Sequence, residues 1–320
     1  MRSLPKISIG VPVYNGLPYV GELMDSLLGQ TFGDFDIVVS DNASDDGTEE
    51  LLRAYAAADA RVKYFRNETN IGLIPNYNRV FELSTAPYFK WSAADDLYEP
   101  EYLAACFPAI RDDTSVSVSH SETALVGGDG RALPYDRDLH ACIDAANGRA
   151  WLLDRDDCAC SGSRTRRFRS VLAKQIMCAP IYGLMRRETL LKTVLHQSFF
   201  GSDKLLLAEL ALHGRYAIAP GKLFKKRMHA EMTSVMGKTS VQSRIDPSIR
   251  FKSAQLVKLG HYMSMLRKTD LSAAEKSLCL AYLAVHSASS VIPETFRYRP
   301  ELMLDRIPFA RAPRVEVQSR

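Results

Sequence analysis

YFKWSAADDLYEP, residues 88–100, opens with the composition of a buried strand from Tyr88 to Ser92 and then sets two carboxylates side by side, Asp95 and Asp96, before the helix-starting sequence Leu97-Tyr98-Glu99-Pro100. Adjacent anions repel unless a cation joins them. In an open α/β sheet the ligand crevice lies at the carboxyl ends of the strands, so a carboxylate pair at a strand end points into it. A divalent ion carrying phosphate is the natural partner, since Mg²⁺ or Mn²⁺ takes a few carboxylates and completes its shell with phosphate oxygens and water. Aspartate also caps helices well. For the pair alone, the two readings are balanced.

Two earlier strand ends decide between them. Lys6 to Val13 (KISIGVPV) runs into Tyr14-Asn15-Gly16, and Phe35 to Ser40 (FDIVVS) runs into Asp41-Asn42-Ala43-Ser44-Asp45-Asp46-Gly47-Thr48. Amphipathic stretches separate the strands. Pro18 to Leu28 carries Val20, Leu23, Met24, Leu27 and Leu28 on one face, and Thr48 to Ala58 carries Leu51, Leu52 and Tyr55. Val62 to Phe65 reads as a third strand, Pro75 to Leu83 as a third helix and Tyr88 to Ser92 as a fourth strand. The resulting βαβαβαβ order predicts a Rossmann-like α/β fold with a mostly parallel sheet flanked by helices.

Together the pieces Pro12-Val13-Tyr14-Asn15, Ser40-Asp41-Asn42-Ala43-Ser44-Asp45-Asp46-Gly47-Thr48, Asn70-Ile71-Gly72 with Asn76, and Ala93-Ala94-Asp95-Asp96 with Pro100 resemble the family 2 glycosyltransferases, inverting enzymes of the GT-A fold. The resemblance covers roughly residues 5–230 and implies a sugar moved from a UDP- or dTDP-sugar to a hydroxyl of a glycan or lipid-linked acceptor. It implies Asp41 as the reader of the base, because an ionised carboxylate accepts from the imide N–H of uracil or thymine. Pro12, Tyr14, Asn15 and Asn76 would line the nucleotide pocket. Many relatives have an arginine where Tyr77 stands, which leaves Arg79 as the substitute cation. Asp95 takes the metal position, with Asp96 beside it and His229 as a further ligand of Mn²⁺ or Mg²⁺. The commoner form of the motif has an additional aspartate where Ala93 sits. Asp203, ahead of the apolar helix Lys204 to Leu212, takes the place of the general base, and the plain structural alternative is a helix cap. A non-catalytic nucleotide-sugar-binding protein on the same fold is the alternative function. A dinucleotide dehydrogenase is disfavoured, because no G-x-G-x-x-G follows the first strand.

Composition is that of a globular protein of 320 residues, 46% hydrophobic and 24% charged. The start MRSLPKISIG has no apolar h-region and no run is long enough to span a bilayer, so a cytoplasmic protein is expected, with the inner face of the membrane as the surface it would meet. The six cysteines are scattered and are expected to be free thiols. Charge divides unevenly: residues 1–115 carry 9 basic against 18 acidic side chains, and the remainder 32 against 19. The Ser/Gly/Arg stretch with Arg164, Arg166, Arg167, Arg169 and Lys174 reads as a basic loop, without the aromatic interleaving of a nucleic-acid site.

Residues 1–235 are expected to form the catalytic domain, 1–115 as the nucleotide half and 116–235 as the acceptor half, with 236–320 as an α-helical extension. In the acceptor half a helix is expected from Pro100 to Ile110, strands at Ser115 to Ser119, Thr123 to Val126, Ile181 to Met185, Arg215 to Ala219 and Leu223 to Met228, and a helix at Arg187 to Leu195. Residues 131–176 read as an irregular segment over the site. Asp246-Pro247 opens one extension helix, and the capping box Ser272-Ala273-Ala274-Glu275 a second. That pair would pack on the main domain, join a homodimer, or dock an acceptor or a membrane surface.

Overall fold

A computed structural model describes residues 5–137, 139, 141–144, 148–154, 158–175, 177–229 and 254–289. The first half alternates as expected: β1 (Ile7–Val13), α1 (Val20–Leu28), β2 (Phe35–Asp41), α2 (Thr48–Ala58), β3 (Val62–Arg66), α3 (Leu73–Leu83) and β4 (Tyr88–Trp91). Then follow β5 (Leu97–Tyr98), α4 (Tyr102–Arg111), β6 (Val116–Val126), and a small antiparallel sheet of β7 (Tyr135–Asp136), β8 (Ala141–Asp144) and β9 (Arg149–Leu152). The second half adds α5 (Arg164–Lys174), β10 (Leu184–Arg186), α6 (Arg187–Leu190), α7 (Ser202–His213), β11 (Arg215–Arg227), α8 (Ala254–Lys268) and α9 (Ala273–Ser289).

The main sheet runs β3-β2-β1-β4-β10-β6-β11-β5. Its strands are parallel except β10 and β5, which run against their neighbours. Alternation within β1 sorts the two faces. Ile7, Ile9 and Val11 join a core with Val20, Leu23, Leu27, Tyr102 and Phe107 from α1 and α4. The other face packs Phe89 and Trp91 against α3, α5, α7 and the two C-terminal helices. Tyr262, Met265, Leu266, Cys279 and Leu283 belong to that same core, so α8 and α9 have no core separate from the sheet's.

Four local expectations give way, each for a readable reason. Leu97-Tyr98 forms an edge strand paired with Phe224 and Lys225, and the helix starts only at Tyr102. His120 to Glu122 interrupt the apolar pattern without interrupting the strand, because His120 and Ser121 pair with Ile218 and Ala219; β11 is likewise one strand with an irregularity between Ala219 and Phe224. Ala179 to Tyr182 is a 3₁₀ turn, and the strand shrinks to β10. Residues 164–174 are a helix and no loop: Ser163 Oγ accepts from the Arg166 N–H, and Thr165, Phe168, Val171 and Leu172 form its buried face.

That helix uses its arginines on the protein itself. Arg164 Nε donates to the Leu212 carbonyl at 2.8 Å and Arg167 Nε to the Ala211 carbonyl at 2.9 Å, capping the C-terminal end of α7. The Ser272–Glu275 capping box forms, with Ser272 N donating to Glu275 at 3.0 Å. Asp246-Pro247 and the segment beyond residue 289 lie outside the described residues. All six cysteines are free, and no described helix is long and apolar enough to cross a membrane.

One close approach sets where α3 sits. A Cβ on Gly10 would stand 2.6 Å from Phe89 Cζ and 2.7 Å from Val80 Cγ2. Gly10→Ala should therefore push α3 off the sheet and lower stability by about 1–3 kcal/mol, as overpacking a filled core does. Urea unfolding monitored by Trp fluorescence checks this, and an unchanged midpoint would show that α3 has room to yield.

Candidate active site

The ends of β1, β2 and β4 deliver their polar residues to one edge of the sheet, and an amide network ties them together. Asn76, on the sheet side of α3, donates to the Ser40 carbonyl at 2.9 Å and the Val13 carbonyl at 3.4 Å, and accepts from Ser40 Oγ and Asn67 Nδ2. All of its capacity is taken by the strand ends, which makes it a strut between β1, β2 and α3. Asn42 bridges Asn70, Asn67 and the Ile71 N–H in the same way. Asn15, held at φ 50°, exchanges hydrogen bonds with Asp45 at 2.9 and 3.0 Å. Pro12 is buried in β1 opposite Ser40, whereas Tyr14 is 50% exposed at the mouth.

Asp41 is fully buried, contrary to the open pocket carboxylate the sequence suggests. Its Oδ1 accepts from the Ser44 N–H at 3.0 Å; its Oδ2 accepts from the Tyr64 hydroxyl at 2.6 Å and from Arg66 at 2.7 Å. A carboxylate has about four lone-pair positions. Three are occupied, and one remains.

Asp95 and Asp96 point to different places although they are neighbours. Asp95 Oδ2 lies 2.9 Å from His229 Nε2. Burial works against ionising Asp95, but the bond to His229 and the charges of Lys226 and His229 outweigh it, holding the carboxyl below its ordinary value. Asp96 is 1% exposed beneath β11, where its Oδ1 accepts from the Arg227 N–H at 2.9 Å. Burial pushes its carboxyl up to about 7, with Asp95 adding to the shift and Lys226 opposing it. Its Oδ2 has no hydrogen-bond partner.

Asp203 stands in the first turn of α7, and Gly201, not Asp203, occupies the N-cap position. The capping alternative therefore fails. The Asp203 side chain is half exposed, and its Oδ1 is 3.4 Å from Nδ1 of the buried His196, whose ring packs edge-on against Trp91 and Tyr77. Burial raises the carboxyl, the contact and charge of His196 with Lys226 lower it further, and the net direction is downward. Tyr77, Tyr182 and Lys226 each lie in the field of both Asp95 and Asp203, so the two carboxylates act on the same three side chains.

Arg79 does not join this group. Two residues along a helix turn it roughly 200° from Tyr77. It lines a groove with Pro75, Asn78, Glu82 and His196, and makes no described hydrogen bond or ion pair with Asp41, Asp95 or Asp203. Asp154, after β9, is engaged through both oxygens with the Met177 and Ala179 N–H groups and so is not placed to serve as a base.

Asp95 and His229 are of the kind that Mn²⁺ or Mg²⁺ accepts when phosphate and water complete the shell. Asp96 does not fit with them, being buried under the strand, and among the described residues no three His, Cys, Asp or Glu side chains are grouped to hold an ion. Arg227 is the residue sequence reasoning missed. Fully buried, it donates to the Asp95 carbonyl, the Gly128 carbonyl and Glu22 at 2.8, 2.9 and 2.7 Å, and stacks over Tyr19. Its place between two lysines and His229 was the available signal.

The chain is similar to several known proteins. The chain is 26% identical over 133 residues to chondroitin synthase of Escherichia coli, a match that covers 42% of this chain and 19% of that protein's length. S. aureus TarS 1-349 in complex with UDP-GlcNAc superposes with a TM-score of 0.59 at 18% identity, covering 93% of this chain and 78% of the other. GalNAc-T7 with UDP, GalNAc and Mn²⁺ gives a TM-score of 0.54 at 15% identity, covering 93% and 59%. These likenesses establish the GT-A fold. Residues 8–191, more than half of the chain, match the family model described as Glycosyl transferase family 2. That match ends before Asp203 and His229 but takes in the strand ends with Asp41, Asp95 and Asp96, and on it the chain belongs to glycosyl transferase family 2.

Proposed function

We propose that the protein is an inverting glycosyltransferase that moves a sugar from a UDP- or dTDP-sugar to a hydroxyl of a glycan or lipid-linked acceptor. The observation that carries this is the pair Asp203 and Asp95, two carboxylates held below their ordinary range that act on the same neighbours, one half exposed beside His196 and the other joined to His229. Asp203 takes the proton of the acceptor hydroxyl as that oxygen attacks the anomeric carbon. The bond from the anomeric carbon to the β-phosphate oxygen breaks on the opposite side, its electron pair leaving with the diphosphate, and configuration inverts. Asp95 and His229 would hold the divalent ion, whose chemistry is to neutralise charge on the diphosphate. As the reader of the base, Asp41 would accept from the imide N–H at Oδ1, which requires the buried carboxylate to be uncovered when the nucleotide binds. TarS and GalNAc-T7, each crystallised with a uridine nucleotide, favour UDP as the donor nucleotide.

Asp203→Asn should leave donor binding near wild type and reduce turnover by roughly 10²-fold or more, the usual loss when a general base is removed from an intact site. Donor hydrolysis, with water in place of the acceptor, serves as the assay; a wild-type rate would send the search for the base elsewhere.

Asp95→Ala should abolish the part of UDP affinity that depends on Mn²⁺. Calorimetric titration with and without the ion checks it, and an equal Mn²⁺ enhancement in the mutant would take Asp95 out of the metal site.

The wild type should bind UDP more tightly than CDP. Asp41→Asn should erase that preference and also lower the melting temperature, because Arg66 and Tyr64 lose their shared anion. If the wild type holds UDP and CDP alike, Asp41 is a structural anchor only.

A further inference from the structure

We propose that Lys226 binds the donor diphosphate, giving the site a fixed cation of its own beside the carboxylates; this deepens the nucleotide-sugar reading and rests on it. Three consecutive cations close β11, and two of them are committed. Lys225 pairs with Glu99 at 2.7 Å on the sheet edge, and the Arg227 guanidinium is taken up by Glu22 and two carbonyls. Lys226 is different. Among the described residues its ammonium makes no hydrogen bond and no ion pair within 4.0 Å, while standing 5.0 Å from the centre of the Tyr182 ring.

Its surroundings are anionic nonetheless. The charges of Asp96, Asp95 and Asp203 all act on it, as does the Tyr77 phenol, and its strand neighbour Arg227 donates its N–H to Asp96 and its guanidinium to the Asp95 carbonyl. An ammonium offers three donors and no acceptor. Here it is drawn into the cleft by carboxylates without bonding to any of them, so its donors are open to a third group. That group must be anionic, rich in acceptor oxygens and able to sit between Asp95 and Asp203, which is where the proposed reaction puts the diphosphate. As the bond to the anomeric carbon breaks and its electron pair stays on the β-phosphate oxygen, the ammonium faces growing negative charge, the arrangement that lowers a barrier most. The competing account makes Lys226 a counter-ion that only steadies the carboxylates, and such a role would affect every ligand alike.

Lys226→Met and Lys226→Arg in the full chain separate the two accounts. Calorimetric titration in Mg²⁺ with UDP, uridine and inorganic pyrophosphate is the measurement, with thermal unfolding to verify the fold. The Met variant should lose about tenfold or more in affinity for UDP and pyrophosphate, the size of one charge-assisted hydrogen bond. Uridine affinity should be unchanged, and the Arg variant should keep most of the wild-type affinity. Pyrophosphate bound equally by wild type and Met variant, or uridine weakened as much as UDP, would overturn the assignment. A wild type that binds pyrophosphate through Lys226 and refuses UDP would sink the nucleotide reading and leave Lys226 in place.

Discussion

Negative charge crowded onto one sheet edge is the constraint from which the rest of this molecule follows. Asp41, Asp95 and Asp96 arrive there because parallel strands end there, and Asp203 faces them from the first turn of α7. Each therefore needs its own neutralising contact. Arg66 and Tyr64 meet Asp41, His229 meets Asp95 and His196 meets Asp203. Asp96 is handled differently: burial and the neighbouring Asp95 push it toward the neutral form near 7, and a backbone N–H holds it. One residue of the pair meets His229, and the other anchors β11.

That division explains why a bare pair of aspartates is a poor guide to a metal shell. In the turn after β4 the two neighbours are held apart by different partners, Asp95 by His229 and Asp96 by the Arg227 N–H. The partner of Asp95 comes from elsewhere in the fold: His229 is brought to it by the long pairing of β11 with β6 and by Arg227 gripping the Asp95 carbonyl. Arg227 does this from a fully buried position, where its guanidinium is saturated by carbonyls and Glu22.

The first 115 residues were legible because their signals are local. Period-two strands, period-3.6 helices and polar strand ends all lie within about a dozen residues of one another, and β1 to β4 came out in the expected order. The acceptor half was less legible because its elements are decided by distant partners. The basic run at 164–174 conceals a helix whose buried face is Thr165, Phe168, Val171 and Leu172, since the arginines that dominate its composition serve as caps for α7. His120 and Ser121 stay in β6 only because Ile218 and Ala219 pair with them across almost a hundred residues. Among the candidate site residues, Asp95 and Asp203 could be found by position; Tyr182 and Lys226 could not, for nothing adjacent in sequence marks a side chain whose surroundings are set by carboxylates from two other elements.

The charge imbalance between the two halves takes its meaning from the same topology. An acidic first third and a basic remainder suggest, from composition, a basic surface offered to an external anion. In the fold, three of those opposite charges are paired at the seam. β11, from the basic part, lies against β5 and the turn after β4, from the acidic part, so Lys225 meets Glu99 and Arg227 meets Glu22; Arg215 meets Asp113 at the other end of the strand. The complementary charges steer the register of the two halves as well as neutralising them. Lys226, between two committed neighbours, is the cation this seam leaves over, and it is left over at the cleft.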